Sequence, residues 1–174
     1  QTLPDGAADT PWLYYRTDGS LGVGSYALNG WLLTYVLGWA GPNWRTFDPT
    51  GSLPTNYFTD DPRYITETRI ETPSATRVIA DGVQWATVPL LTSFARPFHP
   101  SGIYPIGPGI EVVCISRHGR HPNPVPDNWP SRQRLPGAVN VSFFDGHTQL
   151  IPLCDLWQLR WHKYWTPTNQ PVAP

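Results

Sequence analysis

The chain has 174 residues, 14% of them charged, and a formal net charge of −1. That length suits one folded domain, and nine tryptophans are unlike the composition of a disordered chain. The near-neutral charge, without any run of Lys or Arg, excludes the basic surface that holds phosphates in nucleic-acid-binding proteins.

The start of the chain indicates an exported protein. The sequence contains no Met, so Gln1 is not a translation start, and the chain is a processed form or a fragment. The most apolar stretch, residues 27–40, is shorter than the ~20 residues that a membrane-spanning helix needs. We expect an extracellular or cell-surface protein without a membrane span, a single domain over residues 1–174 with extended arms at 1–24 and 166–174.

The first half of the chain predicts short elements separated by turns. Residues 12–15 read as an aromatic strand. Residues 31–37 are apolar on both faces and predict a buried strand. An Asp-Asp-Pro sequence predicts the start of a short helix over residues 59–68, with Asp at its cap and Pro in its first turn.

A first Asp-Gly pair predicts a hairpin in the middle of the chain. Residues 77–80 and 83–88 have strand composition, and Asp81-Gly82 lies between them. Five prolines then predict a long irregular segment over residues 89–109.

The clearest strand signal is the apolar run at residues 109–116. A second Pro-rich loop follows at residues 120–136. Near the C-terminus, residues 155–162 predict a short helix in which Trp157 and Trp161, four positions apart, share one side.

A second Asp-Gly pair gives the strongest local prediction. Asp145-Gly146 separates two alternating apolar runs, residues 139–144 and 147–151. A two-residue Asp-Gly loop favours a type I′ turn, because both central positions need a positive φ. We therefore expect a β-hairpin with a large apolar face.

Two cysteines, Cys114 and Cys154, lie in apolar segments. In an exported protein we expect a disulfide between them, which would stabilise the fold by roughly 3–4 kcal/mol on the chain-entropy model. Two buried free thiols remain the alternative.

Five blocks of sequence carry a family resemblance. They are residues 25–32, 73–82, 115–119, 137–147 and 156–162. In this order they resemble the prepilin-type H-x9-DG family, whose members are type IV pilin-like or type II secretion pseudopilin-like proteins. The chain resembles the globular head of that family, without its N-terminal apolar helix.

The resemblance implies both a set of motif residues and a fold. The motif residues are His118, Asp145, Gly146, His147, Trp157 and Trp161. Here twenty-six residues separate His118 from Asp145, rather than the nine in the family's name. The implied fold is α+β and mainly β: a pilin-like antiparallel sheet of four to six strands, long Pro-rich loops and a short C-terminal helix.

The polar residues favour structural roles over catalysis or metal binding. His118 and His147 would meet if the strand at Cys114 paired with the hairpin, but no metal-ligand spacing supports a metal site. Asp48 and the pair Asp60-Asp61 offer loop oxygens to calcium, without the spacing of an EF-hand. No nucleophile motif is present. We therefore expect neither catalytic activity nor a cofactor. Calcium binding is the one alternative that remains.

The abundant Trp and Tyr residues leave two functions to consider. Such rings favour core and subunit-interface packing. Together with this composition, the family resemblance implies a non-catalytic, extracytoplasmic structural subunit of a pilus-like or pseudopilus-like assembly, which contacts copies of itself or related pseudopilins. The alternative is a secreted carbohydrate-binding module, in which exposed Trp and Tyr rings bind glycans.

Overall fold

The computed structural model of the protein describes residues 10–15, 18–32, 64, 66–89, 109–122 and 133–170. These residues form a mainly β structure, with a two-stranded sheet, a five-stranded sheet and short 3₁₀ helices. The strands are β1 (Trp12–Tyr15), β2 (Leu21–Gly24), β3 (Tyr26–Asn29), β4 (Arg77–Asp81), β5 (Ala86–Thr87), β6 (Ala138–Phe143) and β7 (Thr148–Pro152). The 3₁₀ helices are Gly30–Leu32, Glu67–Arg69, Ile110–Val112 and Leu153–Gln158.

The five-stranded sheet has the strand order β5-β3-β4-β6-β7. Its size agrees with the four to six strands that were predicted, but it is not wholly antiparallel. β3 pairs in parallel with β5, while β3–β4, β4–β6 and β6–β7 are antiparallel. β5 runs parallel to β3 because the chain reverses direction after β4, which is antiparallel to β3, and passes to the other side of β3.

Alternation along β6 separates the two faces of this sheet. Val139, Val141 and Phe143 are buried, whereas Asn140 and Ser142 between them are only half-buried. The buried face packs on the main hydrophobic core, which includes the 3₁₀ helices at Ile110–Val112 and Leu153–Gln158. The other face, which we call the outer face, carries polar, aromatic and aliphatic side chains, among them Tyr26, Ser142 and Leu150.

The predicted hairpin at Asp145-Gly146 is confirmed, but its turn type is wrong. The Phe143 N–H donates to the His147 carbonyl at 2.9 Å, and the Gly146 N–H donates to the Phe143 carbonyl at 3.0 Å. Within this loop only Gly146 has a positive φ, at 90°, and no described non-glycine residue has one. The loop therefore has three residues, a turn followed by a glycine in the left-handed region, and not a two-residue type I′ turn.

The other Asp-Gly pair does not form a hairpin. β4 and β5 are not neighbours, and the Gly82 N–H donates to the Ser25 carbonyl at 2.9 Å. Asp81 instead pairs with Tyr26 in β3. The local turn signal is overridden because β4 finds partners in β3 and β6, which lie far away in sequence.

Two glycines with positive φ should respond differently to alanine. At Gly146 an added Cβ meets nothing within 4 Å, so we expect only the backbone penalty of about 1 kcal/mol. At Gly137, with φ of 86°, a Cβ would lie 2.8 Å from the Ser116 Cβ and 3.1 Å from the His118 carbonyl. The added clash should bring the loss for Gly137→Ala to about 2–3 kcal/mol, measured by chemical denaturation. Equal losses for the two variants would contradict this.

The apolar run at residues 109–116 is not a strand, which corrects the prediction. The N–H groups of Val113 and Cys114 donate to the Ile110 carbonyl at 3.0 and 3.1 Å, so the backbone turns on itself. A short, fully buried apolar run does not distinguish a strand from a buried helical turn.

The C-terminal helix is also corrected. The segment from Leu153 to Gln158 is a 3₁₀ helix and not an α-helix over residues 155–162. It ends because the Arg160 N–H donates to the Ala75 carbonyl at 2.9 Å, outside the helix. Trp157 and Trp161 therefore do not share one helix face.

Part of the predicted N-terminal arm forms a β-hairpin. β1 and β2 are antiparallel, with Leu13 opposite Val23. The predicted strand over residues 31–37 is also corrected at its start, where Gly30–Leu32 is a 3₁₀ helix.

Several predictions concern residues that lie partly or wholly outside the described ranges. At the end of the helix predicted over residues 59–68, Glu67–Arg69 is a 3₁₀ helix that extends one residue beyond that range. Outside the described residues lie positions 33–37, 59–63 and 171–174, most of both Pro-rich segments, and Asp48, Asp60 and Asp61.

Candidate binding groove on the outer face of the sheet

A buried carboxylate organises one end of the outer face. Asp81, the last residue of β4, is only 3% exposed. Its Oδ2 accepts the backbone N–H of Asn140 at 2.7 Å and lies 3.1 Å from the His118 Nε2. A carboxylate withdrawn from water needs such donors, and a proton on Nε2 lets the imidazole supply one.

The sheet brings these three residues together although they are distant in sequence. The pairing of Ala80 with Val141 sets Asp81 beside Asn140. His118 then forms a bridge with Ala138, exchanging backbone hydrogen bonds of 3.0 and 2.7 Å, just beyond the end of β4. The Asn140 side-chain amide lies beside the same ring, with its Nδ2 2.9 Å from the His118 Nε2.

A groove of about 370 Å³ lies on the outer face beside this cluster. Its lining combines an aromatic ring, an apolar floor and neutral polar groups: Tyr26, Ile79, Ala80, Asn140, Ser142 and Thr148. The Ser142 and Thr148 hydroxyls are hydrogen-bonded to each other at 3.0 Å. Tyr26 is 55% exposed, so its ring is accessible at one wall.

The Asp-Gly-His block forms a self-contained turn at the tip of the β6–β7 hairpin. The Asp145 Oδ1 accepts from the His147 backbone N–H at 3.2 Å and lies 2.6 Å from the His147 Nδ1. The hydrogen bond from the His147 side chain lowers the pKa of Asp145. The His147 ring stacks on Phe143 with centroids 4.2 Å apart. These contacts account for both polar side chains as parts of the turn.

The structure does not bring His118 and His147 together. The His118 backbone is hydrogen-bonded to Ala138, the first residue of β6. The His147 carbonyl accepts the N–H of Phe143, the last residue of β6. Five residues of strand separate these positions by roughly 17 Å. Among the residues that the structure describes, no group of three His, Cys, Asp or Glu side chains is arranged to hold a metal ion.

The motif tryptophans are core residues. Trp157 and Trp161 are both 0% exposed, and Trp31 and Trp165 are also buried. The Trp161 indole N–H donates to the Leu156 carbonyl at 2.9 Å, so its polar group is satisfied in the interior. These rings serve packing, and a glycan platform made from them would need the core to open.

A buried cation lies against this core. Arg77 is 0% exposed, its guanidinium carbon lies 4.2 Å from the centre of the Trp161 ring, and its Nη2 donates to the Ala27 carbonyl at 3.1 Å. Burial lowers its pKa to about 9, so it stays protonated at neutral pH. Contact with the ring face partly replaces the hydration that the cation has lost.

The structure does not join the two cysteines. Cys114 and Cys154 are both free thiols, so the predicted disulfide is absent. The Cys154 Sγ instead accepts from the Arg134 Nη2 at 3.0 Å and Nε at 3.3 Å. Cys114 is fully buried after the Ile110–Val112 helix, and burial raises its pKa well above the usual value.

Sequence reasoning missed Asp81, Asn140 and Tyr26 as members of a common site. The local signal was present in β6, where Asn140 and Ser142 alternate with apolar residues. This alternation indicated that one face of β6 is partly exposed, but it did not indicate which neighbouring strands share that face.

In the described ranges, no helix is long and apolar enough to cross a lipid bilayer. Comparisons with protein-family models, with curated proteins and with solved structures found no match.

Proposed function

We propose that the protein is a non-catalytic, extracytoplasmic structural subunit of a pilus-like or pseudopilus-like assembly, located outside the cell or at its surface. It associates with copies of itself or with related subunits. The resemblance of its sequence blocks to the pilin-like family supports this role, and one surface feature supports association.

That feature is an open apolar face on the β1–β2 hairpin. Leu21 and Val23 are 55% and 64% exposed, and half-buried Leu13 lies opposite Val23. On the other face, the side chains of Trp12 and Tyr14 cover Gly24 and Gly22. A two-stranded sheet is marginally stable by itself, so covering its apolar face with another subunit would stabilise it.

The two carboxylate–histidine pairs have structural explanations and need no catalytic one. Asp145 and His147 close a turn. Asp81 and His118 tie the end of β4 to β6. Because both pairs have structural roles, they support a subunit that binds other proteins without turning over a substrate.

The assembly role predicts self-association that depends on the hairpin. In sedimentation experiments with the full chain, we expect concentration-dependent oligomers. A double variant, Leu21→Lys with Val23→Lys, should need at least about tenfold more protein to associate, because each buried side chain contributes roughly 1.5–3 kcal/mol.

Leu150→Lys is the matched control, since Leu150 is 49% exposed and lies on β7, away from the hairpin. It should associate like the unmodified chain. A monomer at all accessible concentrations, or equal effects of the control and the double variant, would refute the proposed interface.

A further inference from the structure

The outer-face groove has the size and layout of a site for one small ring. Its volume of about 370 Å³ lies within the ~300–1,000 Å³ range of small-molecule sites. Tyr26 on β3 and Asn140 on β6 stand two strand spacings apart, about 10 Å, with β4 between them. Asp81 of β4 lies between them, and Ile79, two residues earlier on the same strand, also lines the groove.

The chemistry of the lining fits a sugar ring. A pyranose has an apolar face of C–H groups and a rim of hydroxyls, each both donor and acceptor. Tyr26 offers a flat ring and a phenol, and Ile79 an apolar contact. Asn140, Ser142 and Thr148 offer an amide and two hydroxyls, which can donate and accept.

These polar groups are held in place before any ligand arrives. The Ser142 and Thr148 hydroxyls are hydrogen-bonded to each other, and the Asn140 side chain packs beside the His118 ring. The Asn140 backbone is fixed in turn by Asp81. Ordered groups lose little conformational entropy on binding, so a shallow site can still bind measurably.

The uncharged lining of the groove favours a neutral sugar over an acidic one. Tyr26, Ile79, Ala80, Asn140, Ser142 and Thr148, which line the groove, are all uncharged. Asp81 lies on the same face between Tyr26 and Asn140, and the lining offers no Lys or Arg to pair with an anionic ligand.

We propose that this groove binds one sugar residue of a neutral glycan, which stacks on Tyr26 and hydrogen-bonds to Asn140, Ser142 and Thr148. This site is independent of the hairpin face that the proposed assembly uses.

The test is an NMR titration of the full chain with neutral oligosaccharides of glucose and of N-acetylglucosamine, and with oligogalacturonic acid as the acidic counterpart. At least one neutral probe should shift the amide signals of the groove strands saturably, with a dissociation constant of about 1 mM or tighter. The acidic probe should bind at least about tenfold more weakly.

Tyr26→Ala and Asn140→Ala should each weaken binding at least about tenfold. The Asn140 variant keeps the backbone N–H that donates to Asp81, so its fold is preserved. Trp85→Ala is the matched control, because Trp85 is an aromatic residue of 38% exposure outside the groove lining, and it should leave binding unchanged.

No saturable shift with any neutral probe up to roughly 20 mM would overturn the proposal. So would binding that Trp85→Ala abolishes, or groove signals that shift with protein concentration alone, which would mean that a second copy covers the face. The Leu21→Lys, Val23→Lys variant should bind the sugar normally, so failure of the assembly proposal and failure of this one are distinguishable.

Discussion

Replacing Trp161 by alanine is expected to destabilise the protein by roughly 3–5 kcal/mol, the usual cost of removing a buried tryptophan from a core. Trp161 is 0% exposed and packs edge-on to Trp165, with centroids 6.2 Å apart. The variant also leaves the Leu156 carbonyl without its indole donor and removes the ring that contacts the Arg77 guanidinium. Urea denaturation followed by far-UV circular dichroism measures the loss.

Trp85→Ala is the control for this prediction. Trp85 is 38% exposed, so its truncation should cost less than about 1 kcal/mol. Similar losses for the two variants would mean that Trp161 is not an interior residue in solution.

The second large effect is a loss of stability in acid that originates at His162. This histidine is 0% exposed, and its ring packs edge-on against Trp31 and Trp165 at centroid distances of 5.3 and 5.5 Å. Its Nδ1 accepts the Tyr164 backbone N–H at 3.1 Å, so the neutral ring suits the site. Burial lowers its pKa to about 3.

The direction of the effect follows from proton binding. Between the folded pKa of about 3 and the model-peptide value of 6.5, the unfolded chain binds a proton at this ring that the folded chain does not. Stability therefore falls as the pH falls through this window. From pH 7 to pH 4 the loss at this one group amounts to about 3 kcal/mol.

His162→Gln tests the assignment, because the amide oxygen can still accept from Tyr164 but does not titrate. Its free energy of unfolding should depend less steeply on pH between 6.5 and 4, by about one proton. Above pH 7 the two stability curves should run parallel, which serves as an internal control. Equal slopes in the acid range would show that His162 is not the group responsible.

Local sequence was sufficient where neighbours in the chain form the structure. The β6–β7 hairpin was predicted because Asp145-Gly146 and the flanking alternation lie within a dozen residues of one another. Even there, the type I′ turn was wrong. The closing pair Phe143 and His147 leaves three residues in the loop, and only Gly146 adopts a positive φ.

Prediction failed where distant segments compete for the same backbone groups. Gly82 turned out to bond to Ser25, and Arg160 to Ala75, so one expected hairpin and one expected α-helix did not form. The segment Ile110–Val112 forms a 3₁₀ helix. Because residues 109–116 are almost uniformly apolar, their sequence has no periodicity that distinguishes this helix from a strand.

By itself the sequence determined the mainly β class, the second hairpin and the surplus of aromatic side chains that fills the core. Only the tertiary structure decided that Asp81, His118, Asn140 and Tyr26 meet on one face. Strand order and register join residues more than a hundred positions apart, and those depend on the burial of whole faces, not on local preference. The same reason explains why the tryptophans of the C-terminal motif became interior residues, since Trp157 and Trp161 pack in the same core as the buried face of the sheet.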